Sequence, residues 1–317
     1  MRIVDVDVPA PAEGQVLVRT LYSGISGGTE LLAYRGEIEP SLPLDETLGA
    51  LSGTFAYPFS FGYSAVGRVE DSRASISPGS LVFAFHPHQD RFVVDAEAVI
   101  PLDGHEPRSA TLLPLLETAL QVCLDAAPRY GDDVVVTGLG PVGILSAALL
   151  SLAGARVIGA EPLPARREAA SRFGVHSIPP AQLEKAVLEA TAGRGARLFV
   201  ETSGNPSALV DALPLLAHEG VALVVSWYGT KTVPLPLGAE FHRRRLQLRS
   251  SQVSTIPAEL AARWDVPRRR DEARALLRRL PVEVLATHDF EFERASDAYD
   301  ALDRGLPELI HATLRYG

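Results

Sequence analysis

Apolar residues follow two regimes along the chain. Up to about residue 108 they alternate with polar ones over short stretches. Gln15 to Leu21 reads QVLVRTL, Gly62 to Glu70 reads GYSAVGRVE, and Ser80 to Phe85 reads SLVFAF, each between Gly- and Pro-containing turns. A period of two belongs to strands, so this part predicts a β-rich unit, with no helix-length amphipathic run before Arg108. From Arg108 to Ala127 the pattern becomes helical, with a break or fresh start at Pro114. Between 131 and about 254, strand-length apolar runs alternate with helical ones. Strands are predicted at 133–137, 156–160, 197–201, 221–226 and 246–250, and helices at 141–153, 164–173, 181–192 and 206–217. That alternation predicts an α/β doubly wound parallel sheet. After Thr255 come a charged helix (Arg268 to Leu280), a strand around His288 to Phe292, a helix from Glu293 to Arg304 and a last strand from Ile310 to Arg315. This tail lacks nucleotide-binding features and is assigned to the first unit. The expected domains are 1–120 with 255–317, and 121–254.

The stretch Asp133 to Glu161, DVVVTGLGPVGILSAALLSLAGARVIGAE, organises the second unit. A β-branched strand leads into Gly138, Gly140 and Gly143 in G-x-G-x-x-G spacing, and a helix opens with Pro141 and Val142. The first glycine permits the tight turn, the second admits a pyrophosphate to the backbone, and the third lets helix and strand pack closely. The helix N-terminus adds free N–H groups and a positive dipole end. Glu161, at the end of the second strand, is placed to accept the ribose hydroxyls of NAD and to repel a 2′-phosphate. Three glycines and a proline in its first third exclude a membrane span here. Ser203-Gly204 and Trp227-Tyr228 follow later strands, at the sheet edge where loops meet a dinucleotide.

Composition narrows the chemistry. A formal charge of -9 over 317 residues argues against a nucleic-acid partner. One cysteine, Cys123, excludes an intrachain disulfide and a cysteine-rich metal site. The start of the chain shows no cationic segment followed by an apolar one, so a cytoplasmic protein without a membrane partner is expected.

The segments SGISGGTE (23–30), GYSAVGRVE (62–70), VVVTGLGPVG (134–143), VETSG (200–204) and the closing ATLRYG resemble the medium-chain dehydrogenase/reductase superfamily over essentially the whole chain. FAFHPHQDRFVV (83–94), LLETAL (115–120) and FHRRRLQLRSSQV (241–253) are similar to the subgroup around 2-desacetyl-2-hydroxyethyl bacteriochlorophyllide a dehydrogenase. The resemblance implies a Rossmann domain beside a GroES-like catalytic domain, with an active site in the cleft between them. It implies hydride transfer between a nicotinamide and a carbinol or carbonyl carbon of a small molecule. It further implies a ribose contact for Arg166 and a homodimer formed through the strand near 246–254.

Departures from the family pattern shape the expected mechanism. Where zinc-dependent members carry a cysteine ligand this chain has Ser26 or Gly27, and their G-H-E ligand motif is Gly62-Tyr63-Ser64. No metal is expected: one remaining oxygen ligand, Glu117, does not hold zinc. Hydrogen-bond donors must then meet the charge on the reacting oxygen. Tyr63 is the first candidate and His86 the second. Thr29 matches the family's relay hydroxyl, and Glu117 is expected to orient or accept. The resulting expectation is a zinc-independent, NAD-linked alcohol/ketone oxidoreductase, with NADP the less favoured cofactor. The alternatives are an NADPH-dependent quinone or enoyl reductase, and a dinucleotide-binding sensor without turnover.

Overall fold

The computed structural model describes residues 1–317, which divide into two compact units: 1–114 with 277–317, and 115–276. Each is built around its own sheet.

In the first unit the strands are β1 (Gln15–Ile25), β2 (Ala65–Ser72), β3 (Leu81–Ala84), β4 (Arg91–Asp95) and β5 (Val99–Pro101), joined late in the chain by β12 (Ala286–Glu291) and β13 (His311–Arg315). The order is β12-β13-β1-β2-β3-β5, with β4 also pairing β1. Val16 and Val18 of β1 are buried on the inner face, as the alternation in QVLVRTL requires, and pack with Val82 and Phe92. Ser23 on β1 is paired with Ala65 on one side and Leu314 on the other, so three chain segments converge there. The short helices of this unit are α1 (Gly27–Arg35), α2 (Pro107–Ala110) and, near the end, α9 (Ala295–Asp303). Helix α1 corrects the expectation of no helix before Arg108. Its sequence is weakly amphipathic, and tertiary contacts hold it: Leu32 and Ala33 pack with Ile38, Leu51 and Phe55, and Gly36 closes it in the left-handed conformation.

The second unit carries six parallel strands: β6 (Asp133–Thr137), β7 (Arg156–Ala160), β8 (His176–Ile178), β9 (Ala196–Glu201), β10 (Leu216–Val224) and β11 (Gln247–Ser250). Their order, β11-β10-β9-β6-β7-β8, places the first strand centrally with the chain winding out to both sides. The helices are α3 (Leu113–Ala126), α4 (Pro141–Leu152), α5 (Pro164–Arg172), α6 (Leu183–Ala190), α7 (Pro206–Ala212) and α8 (Val266–Arg279). Strand β8 has no counterpart among the expected elements; three residues leave too little periodicity to read. No helix of the chain is long and apolar enough to cross a membrane.

Most of α8, which the sequence reading gives to the first domain, belongs to the second unit, and one contact shows why. Arg269 on α8 is 1% exposed, and its guanidinium donates to Glu117 Oε1 (Nη2, 2.9 Å; Nε, 3.1 Å) and to Gln121 Oε1, both on α3. Arg270 Nε lies 3.4 Å from the same Glu117 oxygen. Glu117 is itself 2% exposed, a buried carboxylate satisfied by a fixed cation. This corrects the expected site role for Glu117: its charge is neutralised inside the helical layer, and it leaves the catalytic set. Removing one partner of a buried pair strands the other, so Arg269→Met should cost about 3–5 kcal/mol in chemical unfolding, and Glu117→Leu/Arg269→Met distinctly less. A single variant as stable as the wild type would contradict the pairing.

Candidate active site

The residues expected at the site fall mainly into two groups, one in each unit. In the second unit the turn between β6 and α4 shows what each glycine does. Gly138 has φ +81°, and a Cβ there would stand 2.4 Å from the Ser203 Cα. At Gly143 a Cβ would lie 1.9 Å from the Gly138 carbonyl oxygen and 2.7 Å from Thr202 Oγ1. Gly140, the N-cap of α4, meets nothing within 4 Å. The outer two glycines are therefore packing requirements, while the middle one leaves open space at a helix N-terminus. Pro141 and Val142, part-buried in the first turn, complete this cradle.

Two buried carboxylates brace it. Glu161, 2% exposed at the end of β7, accepts the Leu139 N–H at 2.8 Å through Oε2 and the Leu163 N–H at 3.0 Å through Oε1. A carboxylate offers about four lone-pair positions, so two remain for ribose hydroxyls. Arg167 donates to the Glu161 and Pro162 carbonyls, both at 2.7 Å, which ties it to the backbone. Arg166 lies part-buried on α5. Glu201, fully buried at the end of β9, was not singled out in the sequence. Its Oε1 accepts from Ser203 N–H, the Ser203 hydroxyl and Gly204 N–H, and its Oε2 from the Tyr228 hydroxyl at 2.8 Å. Gly204 N–H also reaches Ser226 Oγ at 2.8 Å. One side chain thus fixes both expected cofactor loops, and Tyr228 serves that anchor. Burial, then the Glu201 charge, raises the Tyr228 phenol far above its ordinary range. Trp227 beside it is exposed at the loop surface.

In the first unit the structure brings Tyr63 to Ser26 and Thr29. The half-buried Tyr63 ring packs against the cluster of Leu32, Leu51 and Phe55, edge-on to Phe61 at 6.2 Å. The Ser26 and Thr29 hydroxyls lie near its phenol and favour the phenolate. Burial, and after it the charge of Glu30, pushes the phenol up to about 12, against the lowering effect of those two hydroxyls. Tyr63 therefore keeps its proton through the neutral range and acts as an O–H donor.

His86, the second candidate, does not join this group by any hydrogen bond. Its ring stacks on Phe92 at 3.9 Å, and Nδ1 donates to the Pro87 carbonyl at 3.1 Å. Burial lowers its pKa, so the ring is neutral, with Nε2 as an acceptor rather than a donor. The neighbouring His88 is instead the connected histidine, bonded to Glu30 and Ser23. The sequence held a signal for this pair, a histidine in HPHQD and the acidic end of SGISGGTE, but nothing in either segment says that they meet.

No group of three or more His, Cys, Asp or Glu side chains comes together in a metal-holding arrangement. At the positions where the resemblance would put zinc ligands stand Ser26 or Gly27, and Tyr63; hydroxyls are poor ligands for a zinc ion, which takes thiolate, imidazole or carboxylate.

A family model described as zinc-binding dehydrogenase matches residues 141–266. The chain is 30% identical over 256 residues to L-threonine 3-dehydrogenase of Pyrococcus horikoshii, covering 72% of this chain and 73% of that protein. It is 28% identical over 222 residues to L-galactonate-5-dehydrogenase of Escherichia coli, covering 69% of this chain and 62% of that one. Among solved structures, an alcohol dehydrogenase from Thermus sp. ATN1 superimposes with a TM-score of 0.76 at 23% identity, covering 100% of this chain and 96% of the other.

The glycine geometry makes a paired prediction. Gly143→Ala must displace backbone and should cost on the order of 1–3 kcal/mol in unfolding. Gly140→Ala should leave stability within about 0.5 kcal/mol, yet weaken NADH binding, because its methyl enters the open side of the cradle. Calorimetric titration and thermal melting of both variants check this; unweakened NADH binding in Gly140→Ala would count against the cradle.

Proposed function

Because the chain belongs to the medium-chain dehydrogenase/reductase superfamily, we propose that it is a zinc-independent, NAD(H)-linked oxidoreductase interconverting an alcohol and a ketone or aldehyde. The observation that carries this reading is that Ser26, Thr29 and Tyr63 lie together, in the two segments where the resemblance puts a metal ligand (Ser26 or Gly27, and Tyr63) and a relay hydroxyl (Thr29). The residues present do not suit zinc.

The second unit suits a dinucleotide. Gly140 and the α4 N-terminus would receive the pyrophosphate, and the free lone pairs of Glu161 would take the ribose hydroxyls. A buried anion at that place opposes a 2′-phosphate, which favours NAD over NADP. When bound, the nicotinamide supplies the hydride acceptor or donor.

Everything else falls to side chains. In the reducing direction charge grows on the carbonyl oxygen as the hydride arrives, and the Tyr63 O–H points a hydrogen bond at it. The Ser26 and Thr29 hydroxyls lie beside that phenol. Donors fixed in advance need no reorganisation as charge develops, and that is the source of their effect. The relatives' names span sugar-acid and amino-acid alcohols, so a secondary carbinol is the substrate class proposed.

Tyr63→Phe keeps the ring and removes only the donor. Its kcat over a panel of secondary alcohols and ketones should fall on the order of 10²–10³-fold, with NADH affinity unchanged. Undiminished kcat would contradict the assignment.

A further inference from the structure

A buried hydrogen-bonded chain lies behind the hydroxyl trio. Glu30, on α1, is 1% exposed and accepts from three donors: its own turn's Ser26 N–H at 2.7 Å, the Tyr299 hydroxyl, and His88 Nε2 at 2.9 Å. A carboxylate only accepts, so Nε2 carries the hydrogen. Nδ1 is hydrogen-bonded to Ser23 Oγ, 2.7 Å away, which is hydrogen-bonded in turn to the Tyr316 hydroxyl at 2.9 Å. The line runs unbroken from Glu30 to Tyr316.

His88 also grips the segment that carries Tyr63. Its backbone N–H donates to the Phe61 carbonyl at 3.2 Å. Its ring lies so close over Gly62 that a Cβ there would meet it at 2.6 Å. Gly62 has φ +111°, so the backbone next to Tyr63 is shaped for that approach. Glu30 meanwhile belongs to the turn that presents Ser26 and Thr29. These two segments are more than 30 residues apart in sequence, and the Glu30–His88 bond joins them.

We propose that Glu30 and His88 form a positioning latch for the Tyr63 hydroxyl, locking the segment of Ser26 and Thr29 to the segment of Tyr63. The proposal rests on Tyr63 as the donor to the reacting oxygen. Neither latch residue touches substrate. Glu30 acts on Tyr63 in a second way: its negative charge behind the phenol holds the proton on the oxygen that must donate it. The latch therefore sets both the place and the protonation of one hydroxyl.

The test uses the full-length protein with NADH and its best carbonyl substrate from the panel. In His88→Leu, Glu30 loses a donor and kcat should fall about tenfold or more, with the KM for NADH unchanged. His88→Gln, whose amide nitrogen reaches as Nε2 does, should restore most of the turnover. In protein with Tyr63 replaced by 3-fluorotyrosine, the fluorine resonance follows the phenol's titration. Adding Glu30→Gln should lower that midpoint by about one pH unit, a shift that a purely structural residue would not produce. If His88→Leu does not fold, His88→Gln and the fluorine titration decide. Wild-type kcat in His88→Leu, a folded His88→Gln as impaired as His88→Leu, or an unmoved fluorine midpoint would overturn the latch. These outcomes separate it from the reading it rests on: inactive Tyr63→Phe with fully active His88→Leu removes the latch alone, and active Tyr63→Phe removes the donor itself.

Discussion

A carboxylate withdrawn from water must be surrounded by hydrogen-bond donors or by a cation, and this chain meets that demand four times. Glu30, Glu117, Glu161 and Glu201 are each at most 2% exposed. Desolvating such a group without partners costs several kcal/mol, so each one obliges nearby segments to turn their donors inward. The consequence is geometric. Glu161 and Glu201 sit at the ends of β7 and β9, on either side of β6, and pull backbone N–H groups of the neighbouring loops toward the strand ends. Glu117 ties α8 to α3. Glu30 ties α1, α9 and the His88 loop together.

Binding and chemistry follow from where these anchors lie. The glycine turn would be a floppy element in isolation, because Gly138 and Gly140 have more backbone freedom to lose than other residues. The Glu161 bond to Leu139 N–H fixes the residue between them. The same principle operates in the first unit, where Tyr63 is useful only if its oxygen stays put while charge develops opposite it. A metal ion imposes order on its ligands by coordination. In the function proposed, hydroxyls, a buried carboxylate and an imidazole would take over that ordering role, and the phenol, raised to about 12, would supply the proton-bearing group.

Much of this architecture was legible in the residues. Alternation in QVLVRTL and the β-branched run before Gly138 fix strands directly, since both faces of the sheet leave their period in the sequence. The glycine spacing located the turn. What escaped are features set by distant contacts. Helix α1 forms because of packing that no local periodicity reports. Glu117 looked like a site residue, since an acidic group in an apolar helix suggests function, whereas its partner Arg269 lies 152 positions away. His86 and His88 are adjacent in character and separated by one residue, and only the fold shows which ring stacks on Phe92 and which meets Glu30. Glu201 was hidden for the same reason: four donors from two loops converge on it only after β9 and β10 pair.

The central claim is that protein hydroxyls, with no metal ion, hold the reacting oxygen. Metal content by mass spectrometry on freshly purified, catalytically active protein, with turnover assayed before and after exhaustive chelation, tests it most directly. The expected result is zinc far below one ion per chain and a rate that chelation does not change. One zinc per chain, with activity lost on its removal and regained on its return, would contradict it.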